Sequence, residues 1–210
     1  MTAATSQKDL VVLTADKNMQ FAVRGIVDRT RSLHIRPIDA DFHIHPERHP
    51  GVLGSSHEFL RGFLQSHRHA IVVFDREGCG EESKNRKDLE ATVEDSLRVS
   101  GWMNRAAAVV IEPELENWVW SDSPHVAREL GWTTGLGNLR VRLQDREFSF
   151  RDDGKPSRPK EALEAVLREV RKPRSSALYQ SLSQKVGLSR CTDEAFLKLR
   201  TTLQGWFQED

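Results

Sequence analysis

Three short runs of apolar, largely β-branched residues each lead straight into an acid. Leu10–Ala15 (LVVLTA) meets Asp16, His69–Phe74 (HAIVVF) meets Asp75, and Ala106–Ile111 (AAAVVI) meets Glu112. Apolar runs of this length without alternation read as strands buried on both faces. Between them, apolar residues recur at helical spacing: Met19, Val23, Ile26 and Val27; Phe59, Leu60, Phe63 and Leu64 within Ser56–Ser66; Leu89, Val93 and Leu97 within Asn85–Ser100. Leu33–Ile38 (LHIRPI) alternates weakly and reads as a fourth strand, with Pro37 near its end. The following DADFHIHPERHPGVLGSS reads as a loop. Strand and helix in alternation predict an α/β fold, an open and mostly parallel sheet flanked by helices, over residues 1–122. Beyond residue 122 the pattern turns helical, near 124–130, 159–172, 175–186 and 193–207. Residues 123–210 are therefore expected to form a C-terminal helical extension packed on the core.

Ligands of open parallel sheets collect at the carboxyl ends of the strands, where the crossover connections open a crevice. Here the strand ends supply Asp16, then Asp75 and Glu77, then Glu112, Glu114 and Glu116. A few convergent carboxylates suit a hard divalent cation such as Mg²⁺ or Mn²⁺, which takes oxygen ligands. Such a site activates water and stabilises the charge of phosphodiester cleavage. Each acid also has a structural reading. Asp16 suits the cap of the next helix as well as a ligand, and Asp75 and Glu77 precede a glycine turn. Glu112 and Glu114 flank Pro113 at a helix start, where acids favour the dipole.

The net charge is zero, with 31 basic and 31 acidic residues, but it is unevenly placed. Asp75 to Asp122 holds 12 acids against 6 bases, and Lys155 to Arg200 holds 11 bases against 5 acids. An acidic middle and a basic C-terminal third suit a cation site beside a phosphate-attracting surface, or simply two solvated faces. Lys155, Arg158 and Lys160 precede a strong helix, and a lysine held there can meet a scissile phosphate. Arg168, Arg171, Lys172 and Arg174 continue the run and can follow a nucleic-acid backbone. His43, His45 and His49 invite a zinc reading, yet the chain has no cysteine partners or helical zinc spacing for them; an acid–base or substrate-contact role is the alternative.

No window approaches the ~18 consecutive apolar residues of a membrane span. The start, MTAATSQKDL, lacks the basic and apolar regions of a leader, so a cytoplasmic protein is expected. Cys79 and Cys191 form no paired spacing, and neither a GxxxxGK[ST] nor a GxGxxG motif is present.

The segments VVLTADKNM, IVVFDREGCG, VVIEPELENWVWSD and KPSRPKEAL, with RCTDEAFLKLRTTLQGWF closing the chain, together resemble Toprim-like proteins. This is the catalytic fold of topoisomerases, primases and OLD-type nucleases, and the likeness is nearest to small stand-alone bacterial members linked with anti-phage defence and mobile elements. The resemblance implies a Toprim-like sheet and Mg²⁺-dependent phosphoryl transfer on nucleic acid, with DNA first in line. It implies Asp16, Asp75 and Glu77 as metal ligands, with Glu112, Glu114 or Glu116 as further acids and Lys160 as the downstream lysine. It equally allows a non-catalytic scaffold subunit of a defence complex. Asp16 stands where the family pattern favours glutamate, and the pair is DxE rather than DxD.

Overall fold

The computed structural model of the protein describes residues 7–189 and 191–209. Residues 1–6, Arg190 and Asp210 lie outside it, and with them part of the stretch read for a leader and the first residue of the closing segment. The described chain is an α/β structure built on a four-stranded, all-parallel open sheet. Its strands are β1 (Lys8–Thr14), β2 (Ala40–Ile44), β3 (His67–Asp75) and β4 (Ala106–Ile111), in the order β2-β1-β3-β4. The helices are α1 (Lys17–Val27), α2 (Thr30–Leu33), α3 (Arg48–Leu60), α4 (Arg86–Leu97), α5 (Glu116–Val119), α6 (Pro124–Leu130), α7 (Gly135–Gln144), α8 (Pro159–Glu169), α9 (Ser176–Lys185) and α10 (Glu194–Trp206). Among the described residues no helix is long and apolar enough to cross a membrane.

Strands β1, β3 and β4 are the three apolar runs, and residues 10–13, 70–74 and 108–111 are fully buried. Parallel strands covered by helices on both faces leave no polar side to show. The second strand differs from expectation. Leu33 closes the short helix α2, and His34 turns the chain with a left-handed backbone. The strand is instead Ala40–Ile44, within the stretch read as a loop. It lies at the sheet edge, only partly buried, so its polar residues conceal it. Arg48–Leu60 of that same stretch is helix, and the helix expected over Ser56–Ser66 ends at Leu60 in a single tight turn, Arg61–Phe63.

Strand order 2-1-3-4 makes the connection out of β1 run one way and those after β2 run the other. Right-handed crossovers then place α1 on one face and α3 and α4 on the opposite face. The reversal point lies between β1 and β3, where a crevice opens at the strand ends. The C-terminal helices share the buried core, with Leu163, Leu178, Phe196 and Leu203 in one cluster with the sheet. Helix α9 seats on α1 through Gly25, where a Cβ would come within 2.0 Å of Ser183 Oγ.

The open edge of β4 is occupied by side chains. Glu94 accepts the Ala108 N–H (2.9 Å) and Glu90 the Val110 N–H (3.1 Å), and Lys198 of α10 bridges the two carboxylates.

Candidate functional site

The crevice at the reversal point is a cleft of about 740 Å³. Its walls bring together Asp16, His45, His49, Asp75, Glu77, Glu114, Glu116, Lys160 and Arg174, nine residues singled out in the sequence. A smaller cavity between α1, α5 and α9 is lined by apolar groups such as Ile26, Leu115 and Leu182, and offers no comparable chemistry.

Register explains the centre. Thr14 pairs with Val73, so counting on two residues brings Asp16 level with Asp75 on the adjacent strand. Neighbouring strands lie about 4.8 Å apart. Asp16 is extended and caps α1, its Oδ1 accepting the Met19 N–H at 2.9 Å; cap and cleft residue are the same group. The Asp75 side chain is only 10% exposed, and its Oδ1 has no hydrogen-bond partner. Burial pushes its pKa well above the ordinary 3.8, and Glu116, Asp16 and Glu114 add to the rise.

Histidine 49, on the first turn of α3, enters between these acids. Its Nδ1 accepts the Asp75 main-chain N–H at 3.0 Å. Its Nε2 stands 3.8 Å from Asp75 Oδ2 and 4.0 Å from Asp16 Oδ2. Burial lowers its pKa, although Asp16 opposes that. His45 lines the cleft too, but its ring nitrogens are engaged, Nδ1 accepting the Glu47 N–H and Nε2 contacting Ser55 Oγ at 3.2 Å. His43 packs against Phe63. The three histidines therefore do not converge.

The segment after β4 contributes two buried glutamates with different partners. Glu114 accepts the Lys160 N–H (3.1 Å) and lies 3.6 Å from Lys160 Nζ. Burial first, then Glu116, raises its pKa to about 7. Burial works against the Lys160 charge, but Glu114 and Glu116 outweigh it and its pKa is raised. Glu116 Oε1 takes both the Tyr179 hydroxyl and Arg174 Nη2, each at 2.5 Å. Burial and Glu116 hold the Tyr179 phenol protonated, its pKa raised. Tyr179 was not singled out in the sequence; its place on the apolar face of α9 reads as core.

Other expected residues lie apart from the cleft. Glu112 is exposed and paired with Arg76 at 2.8 Å. Lys155 is turned inward toward Asp193 (3.7 Å), which also accepts from Asn117 and Trp118. Arg158 lies over the Phe148 ring, and Lys172 donates to the Glu129 carbonyl. Arg168 and Arg171 are exposed outside the cleft. The basic tract therefore does not form one stripe. Two cations that the sequence reading passed over, Lys17 and Arg48, line the cleft instead.

Among the described residues no three His, Cys, Asp or Glu side chains already stand as a metal centre. The donor set that does face the cleft is carboxylate oxygen, which suits a cation held by one or two carboxylates with water completing its shell, the usual manner of Mg²⁺. Compared with protein families, with characterised proteins and with solved structures, the chain matches none.

Proposed function

We propose that the protein is a divalent-cation-dependent enzyme acting on phosphodiester bonds, a nuclease in its simplest form. The observation that carries this reading is Asp75, a nearly buried carboxylate with an unpartnered oxygen, facing a cleft that also holds Asp16, Glu114 and Glu116. Clustering acids in a low-dielectric crevice is unfavourable without a cation, and relief of that repulsion is what a bound ion supplies. Asp16 and Asp75 are the residues that would hold Mg²⁺ or Mn²⁺, and Glu77 at the rim orients water. A bound ion contributes Lewis acidity and a water of lowered pKa. Lys160, steadied by Glu114, faces the phosphate, and Lys17 and Arg48 draw the polyanion to the opening. Glu116 serves as a structural acid, its charge neutralised by Arg174 and its Oε1 accepting the Tyr179 hydroxyl. Nucleic acid, with DNA first, is the substrate class that the Toprim-like resemblance favours.

One observation favours a second reading, a non-catalytic subunit of a defence complex. Arg174 is committed to Glu116 and Lys160 to Glu114, which leaves fewer cations for a substrate. Purified protein incubated with plasmid, linear and single-stranded DNA and RNA, with Mg²⁺, Mn²⁺ or chelator, separates the two. The nuclease reading expects cutting that needs the metal and disappears in folded Asp75→Asn protein. Absence of cutting on every substrate by well-folded protein would favour the scaffold.

A further inference from the structure

We propose that His49 is a positioning residue of this cleft: it holds the end of β3 through Nδ1, carries its proton on Nε2 between the Asp16 and Asp75 carboxylates, and does not ligate the cation. The proposal rests on the cation reading only for what the carboxylates bind; the locked tautomer stands on geometry alone.

The Arg76 N–H donates to Ile111 on β4, so the N–H one residue earlier, that of Asp75, faces the β1 side. There β1 ends at Thr14 and its chain leaves into α1, so no strand carbonyl meets that N–H. His49 Nδ1 fills the vacant position at 3.0 Å, reaching across from α3. A ring nitrogen that accepts an N–H carries no proton. This excludes both the imidazolium and the Nδ1–H tautomer, and the proton of the neutral ring sits on Nε2.

That Nε2–H stands 3.8 and 4.0 Å from the two carboxylate oxygens. The gap is too long for a direct hydrogen bond and suits one intervening oxygen, of water or of a phosphate. With its proton in place Nε2 has no lone pair to give a metal. Ligation therefore falls to oxygen alone, which favours Mg²⁺ or Mn²⁺ over Zn²⁺. His49 acts through the acids, in the manner of residues that orient metal ligands from behind.

Two substitutions dissect the role. In His49→Asn, Oδ1 falls near the place of Nδ1 and can accept the Asp75 N–H, whereas His49→Ala removes both nitrogens. Three readouts apply to the full chain. Long-range ¹H–¹⁵N spectra of histidine-labelled protein, assigned with His49→Asn, should show His49 protonated on Nε2 only, with and without Mg²⁺. A proton on Nδ1, or loss of the Nε2 proton on adding Mg²⁺, overturns the proposal. Amide exchange at Asp75 in metal-free protein should quicken about tenfold in His49→Ala, the loss of one hydrogen bond, and much less in His49→Asn. Equal exchange in the two variants overturns it.

Calorimetric Mn²⁺ affinity should fall about tenfold in His49→Ala, with partial recovery in His49→Asn. Wild-type affinity in His49→Ala, or no recovery in His49→Asn, overturns the role in binding. Circular dichroism melts confirm that each variant is folded. If the wild type shows no Mn²⁺ binding that Asp75→Asn removes, the cation reading fails, and the spectra and exchange still decide the proposal about His49.

Discussion

Asp75 concentrates the tension of the molecule in one side chain. It is a carboxylate with nine-tenths of its surface buried, one oxygen unpartnered and three acids raising its pKa. A residue kept in such a place costs stability in the cation-free protein and gains its use from what enters the cleft. Asn has nearly the same shape and carries no charge. Asp75→Asn is therefore expected to stabilise the cation-free protein by about 1 kcal/mol, a rise in Tm of about 2–4 °C for a chain of this size, while abolishing cation-dependent function. Differential scanning calorimetry in chelator is the measurement. A lower Tm for the variant would mean that the charge is already satisfied and that Asp75 is a structural acid.

At the scale of elements, the treatment of β4 is the most testable feature. An edge strand exposes a row of N–H groups that can template pairing with another chain. Here Glu90 and Glu94 on α4 accept two of those N–H groups, and Lys198 with Arg86 neutralises the acids. Glu90→Ala/Glu94→Ala should leave two amides unsatisfied at about 1–3 kcal/mol each and open the edge, lowering Tm and producing aggregates by size-exclusion chromatography. A monomeric double mutant with an unchanged Tm would show that water replaces the glutamates without loss. The elements also divide by how readable they are. β1, β3 and β4 announce themselves because burial on both faces demands unbroken apolar runs. β2 is an edge strand with Asp41 and His43 within it, so its pattern resembles a loop. Helix α7 is hard to read from the sequence, since Gly135 and Gly137 weaken its helical signal.

Across the whole molecule, charge placement gives a pH signature. The Glu114 pKa rises from 4.5 to about 7 on folding, mainly through burial. The folded state keeps this proton to higher pH than the unfolded state. The favourable contribution is full below pH 4.5 and is lost as pH climbs to about 7. His43, His45, His49 and His69 work in the opposite sense, since burial lowers each of them and stability is lost as pH falls below their ordinary 6.5. The difference between wild type and Glu114→Gln isolates the carboxyl. The wild type should lose stability relative to the variant between pH 4.5 and 7, by on the order of 3 kcal/mol at most, read from urea melts in chelator. A flat difference would place Glu114 in an environment without net cost.

The site was legible to the same extent that the strands were. Acids at the ends of well-marked strands could be placed on one edge, and Asp16, Asp75, Glu77, Glu114 and Glu116 do meet there. Glu112 leaves because the chain after β4 turns it outward to Arg76, a local bend that no spacing announces. His49 depends on α3, which was hidden in the supposed loop, and Lys155 on a network closed by Asp193, 38 residues downstream in the sequence.

The hold on Glu116 has a consequence in time. All four strands are synthesised by residue 111, but Arg174 and Tyr179 lie 58 and 63 residues beyond Glu116. At about 5–20 residues per second, translation needs roughly 3–12 s to supply them. Through that interval the nascent sheet carries an acid with neither counter-charge nor hydroxyl donor. The half-made protein then carries this acid unanswered, and its balance of charge is completed only when the chain reaches Arg174 and Tyr179.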